Sequence, residues 1–147
     1  MKMAHKTFSY QTKELFDFID ATDEIRKFVQ GSGVQNGLVN VQIMHTSAAL
    51  IVNEYEPLLL GDMKRNLEAT ASRKLEYQHD DFSIRTVNVC DKGEKNGHSH
   101  CKAIHLLPSV TLNLIDGELQ LGQWQNIILV ELDCSRPRKI QVEILGE

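Results

Sequence analysis

Hydrophobic positions alternate with polar ones over several stretches of this chain, and a period of two predicts strands. Phe8 and Tyr10 stand among polar neighbours and open the first of them. From Leu38 onward, Val39, Val41 and Ile43 share one face while Asn40 and Gln42 share the other. The same parity carried forward places His45 on the apolar side, at the far end of that strand. Val110, Leu112 and Leu114 repeat the pattern, and Asp116-Gly117 after them is a hairpin turn signal. The unbroken run Ile127, Ile128, Leu129, Val130 predicts a strand buried on both faces, broken by Pro137. Ile140, Val142 and Ile144 then alternate with Lys139, Gln141 and Glu143 in a closing strand. Residues 82–89 predict a further strand, followed by a polar, glycine-containing loop over 91–97.

Helical spacing is confined to shorter segments. Thr22 is suited to cap a helix whose first turn carries Asp23 and Glu24 and whose apolar face is Ile25, Phe28 and Val29, with Gly31 and Gly33 as stops. Pro57 suits a first helical turn, after which Leu60, Met63 and Leu67 fall on one face while Asp62, Lys64 and Arg65 face out. Residues 98–107 fit either a short helix or an irregular segment. With no internal repeat and no Pro/Gly/Ser linker, residues 1–147 read as a single domain. Many strands, two or three helices and no βαβ alternation predict an α+β fold dominated by an antiparallel sheet.

Composition narrows the setting more than the chemistry. A net charge of −4 and a pI near 5.9 argue against nucleic acid or an anionic membrane as partner. No apolar run approaches the ~18 residues that span a bilayer, and residues 1–10 lack the apolar core of a signal peptide, so a cytoplasmic protein is expected. Cys90, Cys101 and Cys134 are an odd number without CxxC spacing, which disfavours a disulfide framework or a cysteine zinc site.

Histidine placement is the most informative chemical feature. Four of the six histidines lie in polar clusters: His45-Thr46-Ser47, His79-Asp80-Asp81 and Asn96-Gly97-His98-Ser99-His100. Neutral imidazole is a common metal ligand, and a nearby carboxylate can orient it. In an extended segment His98 and His100 project from one face and can reach one ion. On a helix the same pair diverges by about 200° and one is lost as a ligand. His45, at a strand end before small polar residues, is balanced between a hydrogen-bonded core role and duty as ligand or acid/base. Ser47 lacks the GxSxG elbow of a nucleophile, so its hydroxyl is better suited to hold a phosphate or a water. Glu54 and Asp80 are candidate general bases or carboxylate partners. Neither a P-loop nor a GxGxxG fingerprint is present, which disfavours an NTPase or a dinucleotide enzyme. Trp124, beside Gly122 and just before the apolar run, reads as a core residue.

Taken together, several of these motifs resemble one family. His45-Thr46-Ser47-Ala48-Ala49, Asn53-Glu54 with Glu56-Pro57, His79-Asp80, Asn96-Gly97-His98-Ser99-His100, Pro108-Ser109, Asp116-Gly117, Leu121-Gly122-Gln123-Trp124-Gln125 and Val130-Glu131-Leu132-Asp133 occur in the order and approximate spacing of YjbQ-like proteins, also called secondary thiamine-phosphate synthases. The chain departs from that pattern at Gln123, where the family usually has threonine, and at Ser99, often alanine. The resemblance implies a YjbQ-like fold with a large antiparallel sheet, a homotrimer, and a metal-associated site near subunit boundaries. It also implies a weak thiamine-phosphate synthase activity, which joins a hydroxymethylpyrimidine diphosphate to a thiazole phosphate and releases pyrophosphate.

The expectation is thus a metal-dependent enzyme acting on a small phosphorylated metabolite. His79, His98 and His100 are expected as ligands of a divalent ion, with zinc as first choice. The catalytic set is His45, Ser47, Glu54 and Asp80. The alternatives are a metal-dependent hydrolase built on the same residues and a non-catalytic trimer that binds a metal or a small anion.

Overall fold

The computed structural model describes residues 1–90 and 93–147. Eight strands and three α-helices follow in the order β1 (Lys2–Gln11), β2 (Phe18–Asp20), α1 (Thr22–Gly31), β3 (Gly37–Ile43), β4 (Ala48–Asn53), α2 (Pro57–Thr70), α3 (Gly97–Ala103), β5 (Ser109–Ile115), β6 (Glu118–Leu119), β7 (Asn126–Glu131) and β8 (Pro137–Gly146). A short 3-10 turn, Gln78–Asp80, lies between α2 and α3. The fold is α+β, with every strand pair antiparallel. Instead of one large sheet there are two, a five-stranded sheet ordered β1-β8-β3-β5-β6 and a three-stranded sheet ordered β2-β7-β4.

Alternation decides which side of each sheet is buried. Val39, Val41 and Ile43 of β3 and Ile140, Val142 and Ile144 of β8 turn inward from the larger sheet and meet Leu50, Ile127 and Leu129 of the smaller one, with Ile25 and Val29 of α1 in the same core. Intervening residues of the smaller sheet, Ala49, Ile128 and Val130, point the other way and pack with Leu67 of α2 and with Ala103 and Leu106. The smaller sheet is therefore buried on both faces, which is why β7 carries an unbroken apolar run. The opposite face of the larger sheet is open, and β8 accordingly alternates exposed with buried residues along most of its length.

Local chemistry fixes the connections. Glu56 caps α2 by accepting from the N–H groups of Leu58 and Leu59 at 2.9 and 2.8 Å, and these bonds hold its carboxyl below the usual carboxylate range. Pro57 follows as the first helical residue, as the sequence predicts. Thr22, by contrast, is inside α1: its hydroxyl donates to Asp20 and accepts from the Ile127 N–H at 2.8 Å, so it ties the helix to β7 instead of capping it. The hairpin at Asp116-Gly117 forms with both residues at positive φ, 51° and 75°.

Two further expectations are corrected, and one falls partly outside the described residues. Residues 82–89 form turns and bends, because Ser83 closes a turn on the Asp81 carboxylate and Arg85 draws in the carbonyls of His79, Val87 and Asn88. The first two residues of the polar loop at 91–97 lie outside the described residues. Trp124 is 64% exposed, on the loop leading into β7. No helix among the described residues is long and apolar enough to cross a membrane.

Gly37 of β3 lies opposite Gly146 of β8, where the two strands approach too closely for a side chain. A Cβ on Gly37 would stand 2.0 Å from the Leu145 carbonyl oxygen. Gly37→Ala is therefore expected to destabilise the fold by about 2 kcal/mol or more, read from the urea unfolding midpoint at unchanged slope. A midpoint equal to wild type would show that the strands part there at no cost.

Candidate functional site

One end of the two-sheet sandwich gathers most of the polar side chains that the sequence singles out. The chain leaves β3 at Ile43 and crosses to the other sheet, entering β4 at Ala48. His45 fastens this crossover: its Nε2 accepts the Lys139 N–H at 2.8 Å, next to a Met44 N–H to Lys139 carbonyl bond of 3.1 Å. Burial lowers the His45 pKa, Arg138 lowers it further, and Glu131 opposes them. With Nε2 accepting, the neutral ring carries its proton on Nδ1. The imidazole thus replaces the strand partner that β8 loses where β3 ends.

Ser47 is buried and turned inward. Its hydroxyl and its carbonyl both accept from Arg138, at 3.0 and 3.1 Å. Arg138 pairs through Nε with Glu131 Oε2 at 2.7 Å, and its second contact is with the other carboxylate oxygen. Glu131 further accepts from the Thr12 hydroxyl at 2.8 Å and the Asp133 N–H at 3.0 Å. Both partners are almost wholly buried. Nothing in the sequence marks Glu131 and Arg138 as a pair, although one signal is present. Arg138 has the parity of Ile140, Val142 and Ile144 and so had to face inward, and Glu131 has that of Ile127 and Leu129.

The histidine motifs meet where the 3-10 turn packs on α3. Asp80 Oδ1 accepts the Gly97 N–H, the first of the helix, at 2.9 Å. Only glycine allows this approach, since a Cβ at Gly97 would lie 2.5 Å from Tyr77 Cβ. The docking sets the His79 ring edge-on against His100, with centroids 4.7 Å apart. His79 Nε2 is buried and has no hydrogen-bond partner. Burial lowers the His100 pKa, the neighbouring His79 adds to this, and a backbone hydrogen bond with Thr46 of the crossover opposes it.

His98 does not join them. Residues 97–103 are helical, so His98 and His100 diverge as the helical alternative requires. His98 Nδ1 lies 3.1 Å from the Nζ of Lys102, one turn further along α3. The expected ligand set of His79, His98 and His100 is not assembled within the chain, and no group of three or more metal-ligating side chains occurs among the described residues. Lys102 is wholly buried. Its Nζ donates to the Ala71 carbonyl at 2.5 Å, lies 3.4 Å from Glu68 Oε2, and sits 5.5 Å from the Phe16 ring centre. Burial lowers its pKa and Glu68 counteracts this. The i, i+4 spacing from His98 was the only sequence sign of it.

Asp80 and His98 line a cleft of about 970 Å³, whose walls include Arg73, Tyr77 and Lys95. Glu54 is not among the lining residues. It follows β4 at the end opposite Ser47, roughly 20 Å away at the usual rise of a strand. The expected catalytic set is thereby divided: Asp80 lines the cleft, His45 and Ser47 brace the crossover, and Glu54 lies exposed at the far end.

Comparison with known proteins agrees across the whole chain. Residues 6–147 match the family described as UPF0047 protein YjbQ-like. A UPF0047 protein of Methanothermobacter thermautotrophicus is 33% identical over 147 residues, covering 100% of this chain and 95% of that one. The YjbQ protein of Salmonella typhimurium is 36% identical over 129 residues, 86% of each chain. Among solved structures, a Sulfolobus solfataricus protein described as YbjQ-like and of unknown function superposes with a TM-score of 0.87 at 33% identity, covering 99% of both chains. A hypothetical protein from Aeropyrum pernix gives 0.86 at 28% identity, covering 98% and 99%.

Two outcomes test this geometry. Glu131→Gln leaves the buried Arg138 without its counter-charge and is expected to cost about 3–5 kcal/mol in urea unfolding. A loss below about 1 kcal/mol would show that the pair is solvated. His45, His98 and His100 all have folded pKa values below the ordinary 6.5, so the unfolded chain takes up protons first as pH falls. Their contribution to stability should be complete above about pH 6.5 and decline below it, giving a lower urea midpoint at about pH 5.5 than at about pH 7.5. An unchanged midpoint would contradict the burial of these rings.

Proposed function

The chain belongs to the UPF0047 YjbQ-like family, and from that premise and the paired imidazoles we propose an enzyme that acts on a small phosphorylated metabolite with the help of a divalent metal. The observation that carries this reading is His79 Nε2, a buried nitrogen without a partner on a ring packed against His100. A buried polar atom left unsatisfied is costly, and a ligated ion would satisfy it. The depressed pKa of His100 keeps that ring neutral, the form a metal requires. His79 and His100 would hold the ion, with zinc the first candidate for imidazole ligands. Two imidazoles leave positions open for water, for substrate oxygens or for a residue of another subunit. When bound, the ion would neutralise phosphate charge that develops on a leaving group.

The remaining roles follow from position. Arg73 and Lys95 on the cleft wall would draw in an anionic substrate. Asp80 holds the start of α3 with one carboxylate oxygen, and its other oxygen is available as a proton acceptor. His45 and Ser47 would act by bracing the crossover that carries Thr46 to His100. Thiamine-phosphate synthesis, the joining of a pyrimidine diphosphate to a thiazole phosphate, is the named candidate reaction. A cytoplasmic homotrimer is part of the same proposal. The largely exposed Leu58 and Ile104, together with Trp124, offer apolar surface for that assembly.

Elemental analysis tests the ligand assignment. Wild type is expected to hold about one ion per chain, His79→Ala and His100→Ala to lose it, and His98→Ala to keep it, with unchanged circular dichroism in all three. Metal content equal to wild type in the first two variants would remove the His79–His100 pair as the ligand site. Product formation that requires both phosphorylated co-substrates would support the synthase, and product from one substrate and water would point to hydrolysis.

A further inference from the structure

We propose that His98 is an oxyanion donor of the cleft and not a metal ligand, and that the buried Lys102 is the positioning residue that holds it in the Nε2–H tautomer. The inference rests on the reading above only in taking the substrate to carry a phosphoryl group. An ammonium has three N–H donors and no acceptor. Two acceptors lie within hydrogen-bond reach of Lys102 Nζ, the Ala71 carbonyl at 2.5 Å and His98 Nδ1 at 3.1 Å, and Glu68 Oε2 stands 3.4 Å away as its ion-pair partner. The carbonyl and the carboxylate can only accept, so the ammonium reading accounts for the imidazole contact in the same way. Ser99 Oγ lies 3.4 Å from the same nitrogen, and with its one proton donated to the Leu132 carbonyl at 2.6 Å it could only accept there; the ammonium, a donor only and closer at 3.1 Å, decides the tautomer.

An imidazole that accepts at Nδ1 and is neutral carries its proton on Nε2. That nitrogen has no hydrogen-bond partner among the described residues, yet it is not one of the sealed, unsatisfied atoms of the structure. His98 lines the cleft, so this N–H is the edge of the ring that a ligand can meet. A donor there calls for an acceptor, and a protonated Nε2 cannot ligate a metal.

The other walls complete the match. Asp80 already accepts from Gly97, and Asp81 accepts twice from Ser83. Tyr77 directs its hydroxyl to the Ser72 carbonyl. Arg73 touches Glu68 through Nε alone, at 3.5 Å, which leaves its terminal nitrogens unengaged, and Lys95 is exposed. Arg73, Lys95, His98 and the Gln78 amide are the lining groups with donors to offer, a set suited to the several acceptor oxygens of a phosphoryl group, and they share the cleft with the carboxylates of Glu76, Asp80 and Asp81. Lys102 adds positive charge directly behind the imidazole.

The test is nitrogen-15 NMR of histidine-labelled full-length protein in the presence of a chelator, with His98 assigned from its absence in His98→Asn. His98 is expected to show an unprotonated Nδ1 and a protonated Nε2, and inorganic phosphate to shift the Nε2 resonance saturably. Arg73→Ala and Lys95→Ala, both at exposed positions, should each weaken phosphate binding by about tenfold while leaving the tautomer unchanged. Lys102→Met, if folded by circular dichroism, should give a mixture of tautomers. If it does not fold, the wild-type tautomer and the two rim variants decide. A proton on Nδ1 in wild type, or a His98 signal that phosphate leaves unmoved, overturns the proposal. Because metal is chelated throughout, failure here leaves the His79–His100 reading standing. Phosphate binding in a protein that never takes up metal would overturn that reading alone.

Discussion

The pair Glu131–Arg138 bridges the two sheets at one end of the sandwich, and the arrangement of that end depends on it. β7 delivers Glu131 to the space between the sheets by the same alternation that buries Ile127 and Leu129, and β8 delivers Arg138 from the opposite side. Two charges so deeply buried persist only when their remaining hydrogen-bonding capacity is filled. Thr12, the Asp133 N–H, and the hydroxyl and carbonyl of Ser47 fill it. The crossover between β3 and β4 is thereby fixed from within, while His45 fixes it from β8.

From that anchored crossover the candidate site is built outward. Thr46 contacts His100, His100 packs on His79, and the turn holding His79 is seated on α3 by Asp80 and by the missing side chain of Gly97. On the other side of α3, His98 turns toward Lys102 and the cleft. One short helix therefore separates two imidazole environments. On one side, two rings lie together with an unsatisfied nitrogen. On the other, a single ring is backed by a buried amine. Two residues of sequence separation become two different chemistries because a helix turns through about 200° over that interval.

Strong periodic patterns carried their meaning directly into the fold. The alternation in β3, β5 and β8, the apolar run of β7, the Pro57 helix start and the Asp116-Gly117 turn all stand where the sequence places them. Each is governed by local backbone geometry and by one demand, that apolar faces leave water. Residues 82–89 had strand composition, yet local bonds from Asp81 to Ser83 and from Arg85 to nearby carbonyls fold them into turns instead. Trp124 was read as core from its neighbours, yet the loop before β7 carries it outside the sandwich.

The family resemblance, the α+β class and the clustering of histidines in polar motifs were legible in the sequence, because motif order and hydrophobic period are properties of the chain itself. Which histidines meet was decided by tertiary structure. The i, i+2 pair at His98 and His100 is compatible with one ion in a strand and incompatible in a helix, and packing against the 3-10 turn and β4 selected the helix. The same holds for Glu54, which β4 carries roughly 20 Å from Ser47 at the usual rise of a strand. Glu131, Arg138 and Lys102 find partners as far as 119, 91 and 31 positions away. Periodicity shows that a side chain faces inward, and only the folded chain supplies what it meets there.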